Sequence, residues 1–355
     1  MKYRLGEIAE ITMGQSPKSQ YYNNTGDGIP FLQGNRTFGF KKPIFDTYTT
    51  HITKTAKAGD VIMSVRAPVG DLNITPEDIC IGRGVCSLRM KNGNQEFLYY
   101  MMKYYVNHLL KKESGTVFGS VNRRDIETLE VDIPEDENVQ KKIARYLSMI
   151  DEKIELNSSI NNNLEQQAQA IYQQMFIGNR NANWKVGKLS DLVAVKYGKD
   201  HKKLDDGCYP VYGSGGIMRY VEKPLYIGES VLIPRKCTVN NVMYVNSAFW
   251  SVDTMFYTEM LRPNIAKFVY HFVKGKDLAS LNAGSAVPSM TTNILNAMQL
   301  YIPDDETLCI FEDTVTPMYV QMQENKNQSV ILAKLRDTLL PKLMSGELDV
   351  SDIDI

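Results

Sequence analysis

The nine residues LEVDIPEDE, from Leu129 to Glu137, return almost unchanged at Met298–Glu306 as MQLYIPDDE. In both, apolar positions alternate, Ile-Pro follows, and an acidic run comes next. Alternation with period two reads as a strand with one buried face. Proline removes a backbone donor and ends it, and acids suit the first turn of a helix. A chain that writes this pattern twice folds as two copies of one unit. Gly59 and Gly228, Arg66 and Arg235, Gly115 and Gly284, and Pro134 and Pro303 keep one common offset. Upstream the offset lengthens. DGIPFLQGN at Asp27 resembles DGCYPVYGS at Asp206, and YRLGEIAEI at Tyr3 resembles WKVGKLSDL at Trp184, as unequal loops in two copies produce. The period is far too long for a solenoid, so the chain is a duplicated domain plus its connectors.

Each copy has the same grammar. Short apolar runs punctuated by Gly, Pro and Asn predict strands and loops. A helix is expected near Gln95–Leu110 and again near Asn264–Lys274. Long glycine-free stretches then follow the Ile-Pro, ending at Ile177 in the first copy and Ser345 in the second. The first keeps a 4-3 spacing through Ile143, Leu147, Ile150, Ile154, Asn157, Asn161, Leu164, Ala168, Ile171 and Met175. The second keeps it through Leu308, Phe311, Val315, Met318, Met322, Asn325, Ser329, Leu332, Arg336, Leu339 and Leu343. These are coiled-coil seams, each polar at its middle. An antiparallel register that sets Ile143 on Leu343 and Leu164 on Met322 also sets Asn157 on Ser329 and Asn161 on Asn325. Polar then meets polar, which a slip of one heptad would not achieve. Pro317 is the discord, expected to kink the second helix or mark its effective start. The expected fold class is α/β (α+β): two tandem domains, 1–134 and 179–303. Long helices at 135–178 and 304–346 join them, and 347–355 forms an acidic tail.

The net charge of −1 averages over an alternation of +3, −3, +6 and −7 for residues 1–134, 135–178, 179–303 and 304–355. Basic blocks fit phosphates, and acidic ones fit solvated or partner-facing helices. No apolar run approaches the length that spans a membrane, and the N-terminus has no signal-peptide character, so a cytoplasmic location is expected. Cys80, Cys86, Cys208, Cys237 and Cys309 show no CxxC spacing and read as reduced, mostly buried thiols. His51, His108, His201 and His271 are scattered and read as surface or core residues rather than metal ligands.

The order of these motifs carries a resemblance. Two units, each with a small-residue loop (GTVFGSVN, GSAVPSMT), an apolar alternation, Ile-Pro, acids and a long helix, resemble the specificity (S) subunit of Type I restriction–modification enzymes. GQSPKSQYY, GIPFLQGN and LLPKLMSGEL are similar to stretches of that family. The resemblance implies two target recognition domains that read the halves of a bipartite, asymmetric double-stranded DNA site. It implies helices that space the domains and dock two modification (methyltransferase) subunits, with restriction subunits beside them. It also implies no active site in this chain: S-adenosylmethionine, ATP and magnesium would belong to the partner subunits, and no cofactor or metal to this one. The residues agree. No Pro-Pro-aromatic loop is present for an amino-methyltransferase and no GxxxxGK[ST] for ATP. A PD…ExK match at Asp304 and Glu324 spans ~30 Å of helix, too far to share a metal. A self-contained methyltransferase or nuclease and a protein-only adaptor are the alternatives.

Reading duplex DNA needs amide, hydroxyl and guanidinium groups at base edges and Lys/Arg on phosphates. In the first copy Gln15, Ser16, Lys18 and Tyr21 offer these in one loop, and Gln33, Asn35 and Arg36 in a Gly-flanked turn. Lys111, Lys112, Ser114, Asn122, Arg123 and Arg124 bracket the small-residue loop. The second copy offers Lys196, Tyr197, Lys199, Lys202 and Lys203, then Ser214 and Arg219, then Lys276, Asn282 and Ser285. Arg66 and Arg235 close matching strands and are read either as DNA contacts or as structural ion pairs.

Overall fold

The computed structural model describes residues 1–111, 119–236, 240–281 and 290–350, with only the backbone of Lys111. Contacts divide the chain into two compact units. The first is Met1–Ser159 with Asn325–Ile355, and the second is Ile160–Glu324.

The duplicated nine residues have the same job in each. In the first unit Glu130–Asp132 pairs antiparallel with the unit's opening strand, Lys2–Arg4, setting Tyr3 opposite Val131. In the second, Gln299–Ile302 pairs with Lys185–Lys188, setting Val186 opposite Tyr301. Leu129, Val131 and Leu300 face the cores and their neighbours face out. The acids then satisfy free N–H groups at the helix starts. Asp136 Oδ1 accepts from Asn138 N at 2.8 Å, and Asp304 Oδ1 accepts from Thr307 N at 2.8 Å. Asp304 also receives Trp184 Nε1 at 2.9 Å, and these hydrogen bonds, that from Thr307 foremost, hold its carboxyl down at about 2. It is a helix cap.

The central sheets share an order. In the first unit it runs Ala9–Met13, Val85–Met90, Val61–Ser64, Leu72–Ile74. In the second it runs Val193–Tyr197, Met255–Met260, Tyr226–Pro234, Met243–Ser251, then adds the hairpin Asp206–Gly213 and Gly216–Val221. The first unit instead carries a separate sheet of five short strands that includes Ile29–Leu32 and Ile79–Ile81. A helix packs on each central sheet: Gln95–Lys111 through Phe97, Leu98 and Met101, and Ala266–Lys274 through Phe268, Val269 and Val273. The latter starts two residues later than its sequence suggests because Asn264 takes a left-handed φ of 57°, outside helical geometry.

The long helices run Glu137–Tyr172 and Asp305–Met344, the first continuing into a π-helical turn, Gln173–Gly178. Within the first unit Ile143 and Leu147 share a core with Leu340 and Leu343. Within the second, Ala168 and Tyr172 share one with Phe311 and Val315. In each unit the two helices run antiparallel. Asn157 Nδ2 donates to Ser329 Oγ at 3.2 Å, to Gln328 Oε1 at 2.8 Å and to Asn325 O at 3.3 Å. Asn161 Nδ2 reaches the Met322 carbonyl at 3.1 Å. Pro317 does not mark the start of the second helix: the cap at Asp304 and the buried Leu308, Phe311 and Val315 hold the turns before it. One group inside the pair escapes the periodicity. Asp151, 1% exposed, accepts from Arg336 Nη1 at 2.7 Å and from Tyr100 Oη at 2.7 Å.

Of the described cysteines, Cys80 and Cys86 are buried, but Cys208 is exposed, on the hairpin of the second unit. No helix among the described residues is long and apolar enough to cross a membrane, and no cluster of His, Cys, Asp or Glu there could hold a metal.

Candidate nucleic-acid interface

Each unit builds the same four-residue turn into the last strand of its inner sheet ladder. In the first unit it is Gly82–Val85, closed by Val85 N donating to Gly82 O at 3.0 Å. In the second it is Val252–Met255, closed by Met255 N donating to Val252 O at 2.9 Å. The surroundings correspond in four further hydrogen bonds. Gly82 N donates to Leu32 O and Val252 N to Tyr212 O. Val65 N donates to Gly84 O and Arg235 N to Thr254 O. Gly14 N donates to Val85 O and Gly198 N to Met255 O, and Gln15 N donates to Ile81 O where Lys199 N donates to Ser251 O. Gly14 and Gly198 are needed there. A Cβ on Gly14 would stand 2.1 Å from Gly82 O, and one on Gly198 would stand 2.0 Å from Val252 O. Only glycine lets the strand pass under the turn.

This network corrects the expectation for Arg66 and Arg235. Arg235 makes the peptide bonds of Val65, receiving Met290 N where Val65 receives Val121 N. The positions therefore differ by one residue, and the two side chains point to opposite faces. Arg235 turns inward, donates to Asp253 O at 2.6 Å and lies over the rings of Tyr197 and Phe256 at 4.8 and 5.3 Å. Its guanidinium is engaged within the fold, with a carbonyl rather than a carboxylate as partner. Arg66 is exposed, and its side chain has no hydrogen bond or ion pair among the described residues. Its counterpart in the second unit is the exposed Lys236.

Beside the first turn, Gln15, Ser16, Lys18 and Gln33 line one open polar groove with Arg83, which sequence reading missed. Ser16 Oγ donates to Gln33 Oε1 at 2.9 Å and accepts from Arg83 N at 3.1 Å. The signal for Arg83 was its Gly-Arg-Gly setting. Tyr21 stacks on His51 with ring centroids 4.9 Å apart.

Other candidates are engaged within the fold. Asn35 pairs with Asp71. Arg36 pairs with Asp46 at 2.8 Å and, through that hydrogen bond, holds the carboxyl below its usual range. Asn122 caps the helix Arg123–Glu127 by accepting from Arg124 N and Asp125 N, and Arg123 pairs with Glu127 at 2.7 Å. Arg124 is exposed. In the second unit Arg219 pairs with Asp206 at 2.7 Å and Lys196 with Glu259 at 3.7 Å. Ser214 O accepts from Asn241 Nδ2, Lys276 lies over Phe272, and Tyr197 supports Arg235. Lys199, Lys202 and Lys203 are exposed around the opening of the unit. The Lys111 side chain, Lys112, Ser114, Asn282 and Ser285 lie outside the described residues.

Comparison with known proteins bears on what this arrangement serves. The family model for the Type I restriction modification DNA specificity domain matches residues 1–166 and again residues 181–333. A protein of Methanocaldococcus jannaschii with the provisional name of type I restriction enzyme MjaX specificity subunit is 36% identical over 171 residues. That match spans 48% of this chain and only 40% of the relative. The type I restriction enzyme MjaIX specificity subunit of the same organism is 23% identical over an alignment covering 99% of this chain and 94% of that protein. Among solved structures, the S subunit of a Type-I restriction-modification system from M. genitalium superposes with a TM-score of 0.60. It covers 97% of this chain and 95% of its own at 18% identity, which speaks for the fold alone.

Proposed function

Since the chain belongs to the Type I restriction modification DNA specificity domain family, matched once by each unit, we propose that it is the sequence-reading subunit of a restriction–modification complex. Each unit reads one half of a bipartite, asymmetric double-stranded site. The chain binds no cofactor and does no chemistry. It presents DNA to two modification subunits that methylate adenine with S-adenosylmethionine, and to restriction subunits that use ATP and magnesium. Its place of work is the cytoplasm.

The observation that carries this reading is the pair of equivalent turns with unlike side chains. A duplicated frame bearing different polar groups at the same positions suits two different half-sites, because base identity is read by donors and acceptors rather than by the scaffold. Selection from a random DNA pool by the chain together with a modification subunit tests it. The expected product is two short conserved blocks separated by a spacer of fixed length. Selection of a single block, or methyl transfer by the purified chain alone, contradicts it.

A further inference from the structure

We propose that Arg83 reads a guanine in the half-site of the first unit, and that Arg66 beside it holds a phosphate. This rests on the function proposed above and assigns it to named groups.

The main chain around Arg83 is fixed on both sides. Gly82 N, Arg83 N and Gly84 N donate to Leu32 O, Ser16 Oγ and Gln33 O, at 2.8, 3.1 and 3.0 Å. Gly84 O accepts from Val65 N at 2.9 Å. The flanking glycines permit this packing: a Cβ on Gly84 would lie 2.4 Å from Gln33 O, and one on Gly82 would lie 2.9 Å from Gln33 Oε1. What the locked turn presents to solvent is the Arg83 side chain. Preorganised main chain with one exposed side chain is how a contact is made specific at little ordering cost.

The side chain is also uncommitted. Arg36, Arg89, Arg123 and Arg145 of this unit each have a carboxylate within 3.3 Å. Arg83 and Arg66, like Arg4 and Arg124, have none among the described residues. The strand hydrogen bond from Val65 to Gly84 makes Arg66 and Arg83 neighbours along the main chain. Arg83, unlike Arg66, lines the groove with Gln33, whose Oε1 accepts from Ser16 Oγ and whose Nε2 has no hydrogen-bond partner among the described residues. A guanidinium offers two parallel donors, and guanine is the base that presents two acceptors, O6 and N7, on its major-groove edge.

The test uses the chain assembled with its modification subunits. Recognised sequences are mapped for the wild type, Arg83→Ala, Arg83→Lys and Arg66→Ala, with melting temperatures measured alongside. Arg83→Ala should relax discrimination at one G·C position of one half-site by roughly tenfold to a hundredfold, leaving the other half-site and the melting temperature unchanged. Arg83→Lys should relax the same position, since an ammonium lacks the fork. Arg66→Ala should weaken all sequences alike and reduce the slope of log affinity against log salt by about one. Replacing that guanine by 7-deazaguanine should weaken the wild type and leave Arg83→Ala indifferent. If the wild type selects a bipartite site and Arg83→Ala keeps every base preference, or weakens all sequences uniformly, the assignment of Arg83 is overturned while the proposed function stands. If the wild type selects no site, both fall.

Discussion

At the turn Gly82–Val85 the first unit exposes Arg83, and at the matching turn Val252–Met255 the second exposes Asp253. Most of the peptide hydrogen bonds are shared, Gly84 N to Gln33 O being the exception, and a glycine passes beneath each turn, yet the charge at the tip is reversed. Around the tips, Arg66 becomes Lys236, Gln15 becomes Lys199 and Gln33 becomes Gly213, while most of the carbonyls and amides keep their partners. Scaffold and surface chemistry are therefore separable in this fold. The frame is written in backbone groups and in glycines that tolerate close approach. The outward side chains make few bonds with that frame and are free to differ. An arginine suits guanine, and a carboxylate suits the amino group of cytosine.

The two units also fasten their helices differently, and that difference offers the largest effect. The first relies on the buried ion pair of Asp151 and Arg336, completed by Tyr100. The second relies on Lys267 with Glu312 and on Gln169–His271–Tyr319. Replacing Asp151 by Ala strands a buried guanidinium and should cost roughly 3–5 kcal/mol of stability in urea titration. A loss below 1 kcal/mol would mean that Asp337, 2.8 Å from Arg336, suffices as its partner. Next are the paired glycines. Gly14→Ala and Gly198→Ala each force a Cβ against a carbonyl and should each cost about 1–3 kcal/mol. Equal, substantial losses sustain the equivalence of the turns, and one silent substitution breaks it.

A pH dependence should belong to the second unit. Burial lowers the pKa of His271 to about 4, so the folded state keeps it neutral while the unfolded chain takes up a proton near 6.5. The stability it contributes is complete above about pH 6.5 and is lost as pH falls toward 4, at up to about 1.4 kcal/mol per pH unit. His271→Asn should flatten the melting temperature across that window. An unaltered profile would assign the acid sensitivity to other groups. The smallest effect concerns the polar layer. Asn157 Oδ1 is buried without a hydrogen-bond partner. Converting Asn157, Asn161, Asn325 and Ser329 together to Leu should raise stability by about 1 kcal/mol while loosening helix register. A sharp fall in melting temperature would contradict that placement.

The elements legible in the sequence were those with a period. The repeat, the strand before each Ile-Pro and both long helices follow from spacing, and burial along the helices agrees with it. What spacing could not give was pairing. Asp151 sits one position beyond a seam residue and looks like a solvated charge until Arg336 arrives from 185 residues away. Asn122 offers the same amide whether it caps a helix or meets a base, and Arg36 the same guanidinium whether Asp46 is near or not. Arg83 was overlooked because its value lies in a backbone fixed by residues distant in sequence. Matching Arg66 to Arg235 failed for a related reason. Identity of letters suggested an offset that the hydrogen bonds place one residue away.

The claim that two readers share one frame and act independently is tested most directly by exchange. Residues 1–134 would be replaced by the corresponding unit of a relative with a different recognition sequence. The methylated sites of the assembled complex would then be mapped genome-wide. One half-site should change to that of the donor, with the other half-site identical to the parent's. Simultaneous change of both half-sites, in a complex that still methylates, would show that the two units do not read separately.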